Sequence, residues 1–205
     1  MADEDCKPVA VSRRIEAPAP EIFRLLADPR RHPDLDGSGM LRGAASPAVV
    51  SSVGDVFVMK MYYSALGDYE MDNHVVEYEV NRRIGWEPAA GRGHPEAGTR
   101  EGHRWIFELA PDGPDATVVT EIYDCSRAPQ ELRESVDNGH GWVEGMTKTL
   151  ERLDRLCARQ PGEAEEAPRR TSSPAAAQAP ARSGCRGLLG LRGPARCDRL
   201  SASPG

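Results

Sequence analysis

The chain has 205 residues, a formal net charge of −6 and 39% hydrophobic residues, which is enough for one ordinary core. The charge is uneven: residues 158–205 hold eight Arg against three Glu and one Asp, and their net +4 leaves −10 for residues 1–157. An acidic body argues against nucleic-acid binding, which needs a basic face. No segment approaches the ~20 apolar residues of a membrane-spanning helix.

The five cysteines indicate the redox compartment. Their number is odd and no CxxC pair occurs, which predicts reduced thiols and a cytoplasmic location rather than a disulfide framework. They are Cys6, Cys125, Cys157, Cys185 and Cys197.

Both ends of the chain differ from its middle. The acidic N-terminus lacks the apolar run of a signal peptide, and we expect residues 1–8 to be disordered. Residues 158–205 are rich in Pro, Ala, Gly, Ser and Arg and contain no aromatic residue. Such a segment cannot bury enough apolar surface to offset its chain entropy, so we expect a disordered tail. Residues 9–157 are predicted to form one domain.

The first part of that domain predicts a strand followed by two short helices. Val9–Ile15 is the strand, a helix starts at the prolines of residues 18–20, and a second short helix or turn runs from Arg31 to Leu35. Asp34 to Gly39 resembles the start of a calcium loop, but position 12 is Ala45 instead of the required Glu. We therefore predict a capped turn and no metal site.

Alternating residues then predict antiparallel strands. Phe57, Met59, Met61 and Tyr63 share one face of a strand. In residues 69–80 the apolar residues change from odd-numbered to even-numbered positions in mid-strand, which predicts a bulge near Val75. Two further sets share a face, Ile84 with Trp86, and His103 with Trp105, Phe107 and Leu109. For Thr117–Asp124 either alternating set of residues could face inward, so the sequence does not determine the inward face of this strand.

A C-terminal helix completes the pattern. Apolar residues recur at intervals of three, four or seven and define one stripe. Glycines at 139, 141 and 145 weaken its first half, so we predict a break near Asn138–Gly141 and a firm helix from Trp142. The stripe consists of Leu132, Val136, Val143, Met146, Leu150, Leu153 and Cys157.

Three stretches resemble the START-like superfamily, also called SRPBCC. Residues 15–23 look like its opening strand and helix, residues 76–86 like its V-E…R-R-I-x-W hairpin, and Gly141-Trp142 with Leu150 and Leu153 like its closing helix. The similarity covers residues 9–157 and is nearest to the bacterial polyketide cyclase/dehydrase-like group, with the Hsp90-ATPase-activator-like group next. It implies an α+β helix-grip fold, in which a curved antiparallel sheet wraps a long C-terminal helix.

The resemblance implies a cavity but no uniform set of catalytic residues. We expect binding of a hydrophobic small molecule, either a lipid or a polyketide-like compound, with no cofactor. The alternatives are a polyketide cyclase/dehydratase, in which His103 or Asp124 moves a proton, and, more weakly, a chaperone-linked interaction domain. The expected ligand-binding residues are Met59, Met61, Tyr63, Trp86, Trp105, Phe107 and Trp142.

The composition of the tail yields a test. Truncation after Arg159 should leave the melting temperature within a few degrees of that of the full chain, because the tail is expected to bury no core surface. Thermal unfolding followed by circular dichroism measures this. A larger decrease would show that the tail packs on the domain.

Overall fold

The structure, a computed structural model, describes residues 6–45 and 48–158. They fall within one compact unit that spans residues 1–165. The predicted tail lies outside the described residues except for Ala158, which ends the last helix. Of the N-terminal segment expected to be disordered, Cys6 instead packs against Cys125, with 3.5 Å between the two Sγ atoms.

Within residues 6–45 and 48–158, seven antiparallel strands form one open, curved sheet in the order β1-β7-β6-β5-β4-β3-β2. Successive strands pair as hairpins from β2 to β7, and β1 joins the sheet by pairing with β7. The strands are β1 (Val9–Ile15), β2 (Leu41–Ala44), β3 (Val56–Tyr63), β4 (Gly67–Glu79), β5 (Arg83–Ala90), β6 (Arg104–Pro111) and β7 (Thr117–Asp124).

Two short helices follow the first strand and a long helix ends the described chain, which confirms the predicted α+β class. The helices are α1 (Ala19–Leu26), α2 (His32–Leu35), α3 (Gln130–Ser135) and α4 (Val143–Ala158), with 3-10 turns at Pro29–Arg31 and Asp137–Trp142. Pro18 precedes α1 and Pro33 lies in the first turn of α2, where a missing N–H costs no helical hydrogen bond.

The predicted bulge lies in β4. Val75 pairs with Trp86 and Glu77 pairs with Gly85, so Val76 is the extra residue. A bulge bends the strand and increases the local twist. It therefore helps the sheet to curve around the space beneath it.

The predicted break before the long helix is also confirmed. Asp137, Asn138 and Gly139 all have positive φ, and α4 begins immediately after Trp142. The buried stripe of α4 is shorter than predicted, because Val143 is 37% exposed and burial begins at Met146. The expectation for Val143 was wrong because the turn before it rotates the first residue of the helix towards solvent.

The loop between α2 and β2 is fixed to α4. Thr149 Oγ1 accepts a hydrogen bond from the Gly37 amide at 3.1 Å, and the Arg152 guanidinium donates to the Asp36 carbonyl. The Asp36 carboxylate accepts from the amides of Ser38 and Leu41, which confirms the capped turn. A Cβ on Gly37 would lie 2.0 Å from the Gly145 carbonyl oxygen, so the loop and the helix meet backbone to backbone.

This contact predicts opposite effects for its two glycines. Gly37→Ala should destabilise the protein by about 1–3 kcal/mol, because rigid backbone atoms must move apart. At Gly145 the nearest atom outside its own helix, Ser38 Cα, would lie 3.8 Å from an added Cβ, so Gly145→Ala should be neutral or stabilising by up to about 1 kcal/mol.

Urea unfolding of both variants measures the two effects. Gly145→Ala is the matched control, because it adds the same methyl group to the same contact. Equal changes in the unfolding midpoint would contradict the close approach at Gly37.

Candidate ligand-binding cavity

A cavity of about 250 Å³ lies between the sheet, the α2–β2 loop and the first two turns of α4. Its walls come from elements far apart in sequence, which meet because the sheet curves over α4. Most of the lining residues are apolar. They are Leu26, His32, Leu35, Asp36, Ser38, Met40, Leu41, Phe57, Met59, Met61, Tyr69, Met71, Asn73, Trp86, Pro88, His103, Trp105, Phe107, Glu121, Trp142, Gly145, Met146 and Thr149.

The structure places most of the expected ligand-binding residues on this lining. Met59, Met61, Trp86, Trp105, Phe107 and Trp142 all contribute to it. Tyr63 does not: it is 50% exposed at the end of β3, beside the turn to β4. The alternation places Tyr63 on the inner face of its strand, but the strand at that point extends past the cavity.

Aromatic rings form a connected surface along one side of the cavity. The ring centroid of Trp105 lies 4.6 Å from that of Tyr123 and 5.6 Å from that of Trp142. Trp86 lies 5.8 Å from Phe107 and stacks on His32 at 5.4 Å. Such contacts hold the rings in fixed orientations and present flat apolar faces to a ligand.

Trp142 is half-buried, and it meets Trp105 at the rim of the cavity. The firm helix predicted to start at Trp142 starts at Val143, and the position of Trp142 in the turn before it places its ring beside the void. All three tryptophans of the chain therefore line the cavity.

Glu121 is a cavity residue that the sequence did not reveal. It lies in the middle of β7, is 5% exposed, and its buried Oε2 has no hydrogen-bond partner among the described residues. Burial raises the pKa of its carboxyl group well above the usual value, and the negative charge of Asp36 raises it further. The cavity therefore favours the uncharged form of Glu121.

His103 is the predicted candidate that does line the cavity. Burial lowers the pKa of its imidazole to about 4, with Glu87 opposing the shift. Its Nδ1 is buried without a hydrogen-bond partner in the described structure, and its ring lies 5.8 Å from that of Tyr123. His103 is therefore neutral at pH 7.

His32 is a second imidazole on the lining, and it has a structural partner. Its Nε2 lies 2.8 Å from the Leu26 carbonyl oxygen, which fixes that nitrogen as the donor. Burial lowers its pKa, although the hydrogen bond to Leu26 and the charge of Asp28 oppose the shift. Nothing in the sequence around His32 distinguishes it from a surface residue.

Asp124, the other candidate for proton transfer, lies outside the cavity. The inward residue before it is Tyr123, so alternation along β7 directs Asp124 to the opposite face. There it forms an ion pair with Arg104, its partner across the β6–β7 pairing. Burial alone would raise its pKa, but hydrogen bonds from Ser126 and Arg104 lower it overall.

Two further polar lining groups, Asn73 and Thr149, are satisfied within the protein. Asn73 donates to the carbonyls of Met71 and Phe57 at 3.2 and 3.4 Å. Thr149 donates to the Gly145 carbonyl as well as accepting from Gly37. Within residues 6–45 and 48–158, no three His, Cys, Asp or Glu side chains form a group suited to a metal ion, and no helix is long and apolar enough to cross a membrane.

Comparison with known proteins places the chain beside proteins of unassigned role. No protein-family model matches it. It is 38% identical over 126 residues to the uncharacterized protein Rv0088 of Mycobacterium tuberculosis strain H37Rv, and 37% identical to MT0096 of strain CDC 1551. Each match covers 60% of this chain and 51% of the relative, so the chain spans about half the length of these relatives.

Solved structures share the fold. Protein NE0264 of Nitrosomonas europaea has a TM-score of 0.57 at 16% identity, with 77% of this chain and 97% of that chain covered. Protein MLL2253 of Mesorhizobium loti has a TM-score of 0.54 at 20% identity, covering 75% and 98%. At these identities the likeness shows the fold alone.

The buried imidazole of His103 predicts a pH dependence of stability. Its folded pKa, about 4, lies below the unfolded value of about 6.5, so the unfolded chain binds more protons between these values. Stability is therefore lost as the pH falls from about 6.5 towards 4. Between pH 7 and pH 5, His103→Gln should lose about 1 kcal/mol less stability than the wild type, a figure reduced for its partial exposure.

Urea unfolding at the two pH values measures the difference. His32 and Glu121 also titrate, but they are present in both proteins and cancel in the comparison. His140→Gln, which removes an exposed imidazole, is the matched control and should behave as the wild type. If His103→Gln loses as much stability as the wild type, the imidazole of His103 is not buried as described.

Proposed function

We propose that the chain is a START-like domain that binds a hydrophobic small molecule in the cavity beneath its sheet. The observation that supports this most directly is the lining, in which aromatic and Met side chains surround a void of about 250 Å³. Ligand sites are typically concave, mostly apolar and furnished with few polar groups. The void sits where a packed core would otherwise be, which favours a role for it.

Methionines support an adaptable site. Met40, Met59, Met61, Met71 and Met146 contribute to the lining. An unbranched thioether side chain can change rotamer at small cost and so fit ligands of different outline. A lining that combines rigid tryptophan faces with flexible methionines suits a flat, largely apolar ligand.

A cyclase or dehydratase activity is the second candidate, because two titratable groups, His103 and Glu121, line the same cavity. Their separation makes concerted acid–base chemistry difficult. Glu121 pairs with Phe107, and His103 precedes Phe107 by four residues, which is about 13 Å along a strand. The Trp105–Tyr123 pair lies between them on the sheet, and this spacing favours the binding role over the enzymatic one.

The three tryptophans make binding directly measurable. We expect an environment-sensitive apolar dye to bind the folded protein saturably, and tryptophan emission to be quenched or shifted with the same dissociation constant. Trp105→Ala should weaken binding at least fivefold, because it removes a ring from the cavity wall. Native mass spectrometry of protein purified from its own host should show a retained small molecule.

Tyr63→Ala is the matched control, because it removes an exposed aromatic side chain from the same inward series without touching the cavity. Its affinity for the dye should stay within twofold of the wild type. The proposal fails if the folded protein binds no dye, or if both variants change the affinity equally.

A further inference from the structure

The polar chemistry of the cavity restricts the class of ligand. Two buried polar atoms of lining side chains lack a hydrogen-bond partner among the described residues: Oε2 of Glu121 and Nδ1 of His103. A buried polar atom without a partner is costly, so a site that keeps two of them is suited to a ligand that satisfies them. The other polar lining groups described above already have partners.

The charged residues of the cavity lining are all acidic. Its charged residue types are Asp36 and Glu121, and no Lys or Arg contributes to it in the described structure. The guanidinium of Arg152 donates to the Asp36 carbonyl and is engaged there. A carboxylate or phosphate brought into this cavity would lose its hydration shell without gaining a cation. It would also approach the Asp36 carboxylate.

We propose that the Glu121 carboxyl group orients the ligand, and that the ligand is an uncharged hydrophobic molecule with a hydrogen-bonding oxygen, such as a ketone or phenol, rather than an acidic lipid. This rests on the proposed function and refines it. It favours a polyketide-like compound over a fatty acid or a phospholipid.

The protonation state of Glu121 agrees with this geometry. Burial and Asp36 favour the protonated form of its carboxyl group, and that form presents an O–H donor as well as acceptor lone pairs. A ligand carbonyl or phenolic oxygen would satisfy this donor, whereas a plain hydrocarbon would leave it unpaired.

The position of Glu121 makes it suited to orient a ligand. It lies on β7, next to the edge strand β1, and pairing with β1 and β6 holds its backbone by ladder hydrogen bonds on both sides. Its cross-strand neighbour on the inner face is Phe107. A ligand ring lying on Phe107 would therefore place an oxygen substituent next to the carboxyl group.

Four probes with one naphthalene core separate the possibilities: 2-acetylnaphthalene, naphthalene, 2-naphthoate and 2-naphthylmethylammonium. Quenching of tryptophan emission measures their affinities. The ketone should bind at least tenfold more tightly than the anion and more tightly than the hydrocarbon. Equal or tighter binding of the anion would overturn the proposal, and tightest binding of the ammonium would show that Glu121 serves as a carboxylate for a cation.

Two variants of Glu121 identify the group responsible. Glu121→Leu should weaken ketone binding at least tenfold and leave naphthalene binding unchanged or tighter. Glu121→Gln should keep ketone affinity within about threefold, because the amide still donates. Glu108→Gln, on the outer face of the adjoining strand in an ion pair with Arg83, is the control and should change nothing.

The outcomes also separate this inference from the proposed function. If Glu121→Leu affects the ketone and naphthalene equally, Glu121 does not select the ligand, although the cavity binds it. If none of the four probes quenches the wild-type emission, the cavity does not bind aromatic ligands and the proposed function fails with it.

Discussion

One helix has to cover the concave face of a seven-stranded sheet, and the cavity is the result of that mismatch. Helix α4 packs its buried stripe, Met146 to Cys157, over the end of the sheet near β1, while α1 and α2 cover part of the rest. The backbone contact between Gly37 and α4 holds the α2–β2 loop in place, so that neither element can move inward to fill the gap. The side chains are too short to meet across that gap, so they line a void instead of a core.

A buried acid in this void is an energetic burden on the folded protein. The unfolded chain ionises Glu121 freely, whereas burial in the folded chain favours its protonated form, and this lowers stability as the pH rises above its unfolded pKa. Replacing Glu121 by an apolar residue of similar size would relieve the cost. Groups that weaken a fold in this way cluster at functional sites, and this supports a functional role for Glu121.

The sequence predicted the architecture well, because each strand face and the helix stripe repeat a simple period. The shared inward face of His103, Trp105 and Phe107 and the bulge at Val75 followed from alternation alone. The residues of the site were harder to predict from the sequence. On β7 apolar residues occupy both parities, so the inward position of Glu121 required the pairing of that strand. From the sequence, Asp124 was as suitable a candidate for proton transfer as His103. The strand register places Arg104 beside Asp124 and so assigns it to an ion pair.

The open sheet leaves two strands, β1 and β2, each with an unpaired edge in the described structure. Strand β2 has only four residues and an irregular register at Gly43, and β1 carries Arg13 and Arg14 along its length. Short, irregular or charged edges are poor templates for the addition of another strand. A protein that has a cavity in place of part of its packed core unfolds locally more easily. Edge strands of this kind protect it from aggregation during such local unfolding.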